Sequence, residues 1–144
     1  VFGEHGDSSF VPWSLANIGS IPVDNFAPSF TGDKLPDFNK DDVEDYIRKS
    51  GGIIINAKKF TNYGIAATTA DLVEALNYTT DSVLTITSIM NGEYGISDVC
   101  LSIPTLIGQN GIKGHIAAPL TDDEVAKLQH SANCLKDVIK QVEF

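Results

Sequence analysis

In the run Val99-Cys100-Leu101-Ser102-Ile103-Pro104-Thr105-Leu106-Ile107, the apolar Val99, Leu101, Ile103 and Ile107 alternate with Cys100, Ser102 and Pro104. A period of two puts the two sets on opposite faces of an extended strand. Behind it, Asn110-Gly111 is a strong hairpin signal. Ahead of it, Asn91-Gly92-Glu93-Tyr94-Gly95 reads as a turn. The segment 82–118 is therefore expected to form three antiparallel strands, over about 82–90, 98–107 and 112–118. Proline cannot donate to a ladder, so Pro104 predicts an edge or bulged position for its strand.

On the C-terminal side the period becomes helical. Thr121 and Glu124 form a capping box. Val125, Leu128, Ala132, Leu135, Ile139 and Val142 then recur at spacings of three and four, with Lys127, Lys136 and Lys140 in water. This narrow stripe is expected to pack on the sheet or on another subunit. On the N-terminal side, Asn39 starts a helix whose Asp41, Asp42 and Glu44 suit the positive end of its dipole. Val43, Tyr46, Ile47, Ile54 and Ala57 follow helical spacing, and Lys58 and Lys59 suit its other end. Gly51 and Gly52 cost about 1 kcal/mol each against alanine, which predicts a kink or a close packing partner. Thr61 is read as the cap of a second helix with Ile65, Thr69, Leu72, Val73 and Leu76 as its buried stripe, closed by Asn77. Residues 24–40 read as a loop, and residues 1–23 as strand, loop, strand.

The 144 residues suit one domain, with no repeats. Ten Lys and Arg against nineteen Asp and Glu give a net charge of -9. Such a surface repels a phosphate backbone and an anionic bilayer, so neither nucleic acid nor membrane is an expected partner. No apolar run is long enough to span a bilayer. Cys100 and Cys134 form no disulfide framework and no CxxC, which points to a reducing cytoplasm. Both cysteines are read as small packing groups.

The strongest chemical signal is Gly3-Glu4-His5-Gly6-Asp7-Ser8-Ser9. Flanking glycines allow unusual backbone angles and close approach of a ligand. Histidine titrates near neutrality and can give or take a proton. His5 is thus a candidate acid/base on a loop, or else a surface histidine in a turn. Glu4, His5 and Asp7 do not have metal-ligand spacing, and no metal is expected. His115, placed on the Lys113 face of its strand, and His130, off the helical stripe, have structural readings. Trp13 is read as packing.

The same motif, continued by Pro12-Trp13-Ser14, resembles the active-site signature of the L-lactate dehydrogenases. Phe60-Thr61-Asn62-Tyr63-Gly64-Ile65-Ala66 resembles the second motif of that family's substrate domain, in order and distance. Tyr94-Gly95-Ile96, Leu101-Ser102-Ile103-Pro104 and Gly108-Gln109-Asn110-Gly111-Ile112 resemble its closing hairpin. The resemblance covers nearly the whole chain and is weakest over 24–40. Glu4 stands where related malate dehydrogenases usually have glycine, and these also lack a match for Trp13, so the lactate branch is favoured. Hydroxyisocaproate-type and malate-type dehydrogenases stay as alternatives. The family commonly has a small apolar residue between the proline and the tryptophan; Pro12-Trp13 departs from that.

The resemblance implies an α+β fold of long helices packed on antiparallel strands. It implies that His5 protonates the carbonyl oxygen of pyruvate as hydride arrives from the nicotinamide of NADH, and takes the hydroxyl proton of L-lactate in reverse. Thr61 would line the pocket at the substrate's methyl end, and Ile65 would meet one face of the nicotinamide ring. In the family, the aspartate that orients the histidine, the arginine that clamps the carboxylate and the dinucleotide fold all precede this region. No GxGxxG run occurs here. Residues 1–144 are therefore expected to be the C-terminal, substrate-binding domain, with the N-terminal dinucleotide-binding domain absent. Such a chain would bind no NAD and be inactive alone. Its expected partners are pyruvate or L-lactate, the N-terminal domain, and further copies in a homotetramer of a cytoplasmic fermentative enzyme. A non-catalytic oligomerisation module is the alternative from another class.

Overall fold

The computed structural model describes residues 1–26 and 38–142. Of the loop expected over 24–40, residues 27–37 lie outside the described residues. Along the chain run the short strands β1 (Asn17–Ile18) and β2 (Ile21–Pro22), helices α1 (Lys40–Lys58) and α2 (Tyr63–Asn77), strands β3 (Ser82–Asn91), β4 (Ser97–Gly108) and β5 (Gly111–His115), and helix α3 (Asp122–Ile139). The long strands form one antiparallel sheet in the order β3-β4-β5. This is the α+β arrangement of helices on antiparallel strands. In place of two full strands, residues 1–23 hold isolated bridges, a short 3-10 turn at Trp13–Leu15 and the β1–β2 pair.

The alternation in β4 works as its sequence dictates. Val99, Leu101, Ile103, Thr105 and Ile107 are buried, while Cys100, read as a packing group, is exposed. Of the two positions expected for the Pro104 strand, the edge one is wrong, since the strand is central, and the bulged one holds. In an antiparallel ladder, a residue's N–H and C=O face the same neighbour. The Pro104 carbonyl accepts from the Ile116 N–H at 2.8 Å. Its missing donor therefore faces the β5 side, just beyond the last pair, Thr105 with His115. The β4–β5 register slips nearby, between Leu106 and Ile107. Pairing to β3 continues undisturbed through Thr85 and Pro104.

Helix α3 lies on the buried face of the sheet. Leu128 and Ala132 join Phe2, Phe10, Met90, Ile96, Val99, Leu101 and Ile103 in one core. Burying each large apolar side chain contributes about 1.5–3 kcal/mol. The capping box forms as expected: the Thr121 hydroxyl accepts from the Glu124 N–H, and the Glu124 carboxylate from the Thr121 N–H. The stripe is covered only in its middle. Ile139 ends the helix half-exposed, and Val142 lies beyond it.

Helices α1 and α2 exist where periodicity puts them, but their faces differ from expectation. Asn39 caps α1 by accepting from the Asp41 N–H at 2.9 Å. The helix runs straight through Gly51 and Gly52, and a Cβ at either would meet nothing within 4 Å. The glycines thus mark neither a kink nor a close partner among the described residues. Ile53, Ile54 and Ile55 are exposed. Thr61 is not the cap of α2. The Asn62 carbonyl accepts the first helical bond, from the Ala66 N–H at 3.0 Å, which makes Asn62 the cap. Of the expected stripe, Ile65, Thr69 and Val73 are exposed and Leu72 and Leu76 half-buried; Ala75 is the buried residue. The stripe is covered only in part: Leu72 and Leu76 are partly shielded, while Ile65, Thr69 and Val73 stay open among the described residues. No described helix is long and apolar enough to cross a membrane.

Candidate functional site

Phe2 and Phe10 close a loop around the Gly-Glu-His-Gly motif. Each donates its N–H to the other's carbonyl, at 2.9 and 3.1 Å, and both side chains enter the core. Gly3 exchanges hydrogen bonds with Ser102 of β4 at 3.1 and 2.8 Å. Since Ser102 pairs with Thr87 on its other side, Gly3 occupies the β4 edge that β5 leaves open. Gly3 has φ +97°, and a Cβ there would sit 2.7 Å from the Ser131 hydroxyl oxygen. Only glycine suits both conditions.

Two helices hold the loop. From α1, Arg48 donates to the Ser9 carbonyl at 3.1 Å, and Glu44 accepts from the Trp13 indole at 2.8 Å. From α3, Ser131 accepts from the Glu4 N–H at 2.8 Å. Glu124 accepts from the Ser14 N–H at 2.9 Å and from its hydroxyl at 2.5 Å. Burial pushes the Glu124 carboxyl up, but the bonds from Ser14 and Thr121 outweigh it and hold it below the usual carboxylate range. Trp13 is a packing residue, as read, with a polar tie that its apolar body did not announce.

His5 stands exposed on this loop, at a cleft of about 360 Å³. The cleft is walled by the loop itself, by Ile47 and Arg48 of α1, and by Thr87 and Ser102 on the outer face of the sheet. Thr61 lies in the turn between α1 and α2, and Ile65 in the first turn of α2; both are exposed, and neither lines this cleft. Asp7 lines it beside His5. Among the described residues, no group of three or more His, Cys, Asp or Glu side chains converges as a metal site.

One constellation escaped the sequence. The side chain of His115 is only 5% exposed. Its Nδ1 lies 2.7 Å from Glu93 Oε1 and its Nε2 2.7 Å from Ser88 Oγ. Burial pushes the Glu93 carboxyl up, yet bonds from the Asn91 N–H and from His115 outweigh it and leave it below the usual range. An unbroken hairpin register would set His115 opposite Pro104, on the outer face with Lys113. The slip makes Lys113 the extra residue and sets His115 opposite Thr105, which is fully buried. No signal in the sequence marks that slip.

An exposed histidine, carried on a loop that sheet and helices both grip, sits in a fold of helices over antiparallel strands. Residues 1–144 match the family model of the lactate/malate dehydrogenase, alpha/beta C-terminal domain, and the chain belongs to that family. It is similar to L-lactate dehydrogenase 2 of Clostridium acetobutylicum, 44% identical over 140 residues, which cover 97% of this chain and 43% of that protein. Its fold matches the minor L-lactate dehydrogenase of Enterococcus mundtii in a ligand-bound form, with TM-score 0.88 and 30% identity over 100% of this chain and 45% of that one. It also matches the malate dehydrogenase of Archaeoglobus fulgidus in complex with NADH, with TM-score 0.79 and 29% identity over 99% of this chain and 43% of that one. The chain thus spans about half the length of the relatives it matches.

Proposed function

We propose that residues 1–144 serve as the C-terminal, substrate-binding domain of an NAD-dependent L-lactate dehydrogenase, with His5 as its acid/base. The observation that carries this reading is His5 itself, exposed at a small cleft on a loop tied to β4, α1 and α3. Reducing a ketone turns its oxygen into an alkoxide, and an imidazolium within reach can neutralise it. NADH, when bound, supplies hydride to the carbonyl carbon. His5 gives the proton in that direction and takes the hydroxyl proton of L-lactate in the other.

The exposed surface of this chain fits one wall of a dinucleotide site. Ile65 keeps 65% of its surface open, which suits contact with a flat ring. The chain carries no glycine-rich run to cradle a pyrophosphate, so the N-terminal domain of the whole protein would supply the rest. Thr61, exposed one turn away, would meet the substrate's methyl end once that domain closes the pocket. Glu4 and Trp13 favour lactate over malate as the substrate. The bare isoleucines of α1 and the open face of α2 also support an assembly role in a homo-oligomer, and the two roles are compatible.

The test uses the full-length protein. His5→Gln is expected to lower the turnover of pyruvate at least about a hundredfold, the low end of general-acid effects. The 144-residue chain alone should reduce pyruvate at background rate. Normal turnover by His5→Gln would remove His5 from the chemistry. Faster reduction of oxaloacetate than of pyruvate by the unmodified protein would move it to the malate branch.

A further inference from the structure

We propose that Ser131 of α3, acting through Glu4 and Ser8, is a positioning residue for the loop that carries His5; this rests on the acid/base reading of His5. Ser131 is a fully buried serine near the middle of a helix. A hydroxyl there is costly unless bonded, and alanine would serve the helix better. It bonds the motif loop twice, to the Glu4 N–H at 2.8 Å and to the Ser8 hydroxyl at 2.9 Å.

These bonds close a ring. The Ser8 hydroxyl and the Ser8 N–H both donate to the Glu4 carboxylate, the latter at 3.2 Å. A hydroxyl has one proton, and a carboxylate is the stronger acceptor, so the Ser8 proton goes to Glu4. Ser131 then gives its own proton to Ser8 and accepts from the Glu4 N–H. The path starts at the Glu4 backbone, passes through α3, and returns to the Glu4 side chain. Along the chain it encloses His5, Gly6 and Asp7, all three of which remain exposed. The Glu4 carboxylate also folds over Gly6, where a Cβ would meet it at 3.0–3.2 Å. The loop is therefore cinched at both ends by one buried hydroxyl from a helix that carries no reacting group. Gly3 is what lets the backbone come so near Ser131.

A displacement of about 1 Å in a reacting group can cost up to about a hundredfold in rate. In the full-length protein, Ser131→Ala is expected to lower kcat about tenfold with KM for pyruvate within about twofold. The kinetic isotope effect with 4-deuterated NADH should rise, because the chemical step becomes slower relative to release. Glu4→Ala should show the same losses, and Glu4→Gln, which keeps an acceptor oxygen for Ser8, should recover most of them. Unchanged kcat and isotope effect in a folded Ser131→Ala would overturn the inference. If Ser131→Ala does not fold, the Glu4 pair decides: equal rates for Glu4→Ala and Glu4→Gln overturn it, and recovery by Gln supports it. His5→Gln separates this from the parent reading. Normal turnover there removes both, whereas loss there with normal rates in Ser131→Ala removes the positioning role alone.

Discussion

Glu124 shows how one carboxylate can serve two segments of the chain. It completes the capping box of α3 and binds both the N–H and the hydroxyl of Ser14, 110 residues away in sequence. Those bonds favour its charged form, and its carboxyl lies below the ordinary range. A carboxyl depressed on folding stabilises the native state while ionised. The gain is complete above the unfolded value and is lost as pH falls through the folded one. Glu124→Gln is therefore expected to cost about 1–2 kcal/mol at neutral pH. The difference from the unmodified chain should shrink as pH drops below the ordinary carboxylate range. Urea melts at neutral pH and near pH 3 check this, and a difference that stays constant with pH would assign the effect to shape rather than charge. Glu93, also depressed and on a separate element, should leave part of the acid sensitivity in place in that variant.

At the scale of the element, the β4–β5 hairpin turns on a single extra residue. The slip at Leu106 and Ile107 rotates the end of β5 so that His115 enters the interior. There it links Ser88 of β3 to Glu93 of the turn before β4, tying three segments through one imidazole. Ser88→Ala would leave the buried Nε2 without this partner, at a cost of about 1–3 kcal/mol. Thermal or urea unfolding of the variant measures it, and a change below about half a kcal/mol would mean that water replaces the hydroxyl. Gly111, with φ +88°, supports the same turn, while Asn110 does not adopt a positive φ. The Asn-Gly pair thus marked the hairpin correctly but not its bulged form, because a bulge depends on cross-strand pairing rather than on the dipeptide.

For the whole molecule the telling feature is what the helices leave bare. Ile53, Ile54 and Ile55 of α1 and Tyr63, Ile65 and Val73 of α2 are all at least 43% exposed. Monomeric proteins seldom show apolar patches beyond a few hundred Å² without a partner. The 144-residue chain is expected to self-associate, and Ile54→Asp with Val73→Asp should weaken that association while leaving the helix content intact. Sedimentation of both at high concentration tests this. A clean monomer for the unmodified chain would show that these faces need no cover.

The elements and the motif were legible because their causes are local. The Thr121 and Glu124 cap, the alternation of Val99, Leu101 and Ile103, and the glycines beside His5 each act within a few residues, where sequence spacing and spatial spacing are nearly the same thing. The α+β class and the candidate acid/base could therefore be read without coordinates. Tertiary structure alone decided which faces are covered: Leu128 is fully buried in the core, while the equally periodic Ile65 and Val73 keep more than half of their surface open. It also decided that His115 turns inward, and that Ser131 reaches Glu4 across 127 positions. Burial and long-range hydrogen bonds depend on what stands opposite a side chain, and periodicity names the face without naming its neighbour.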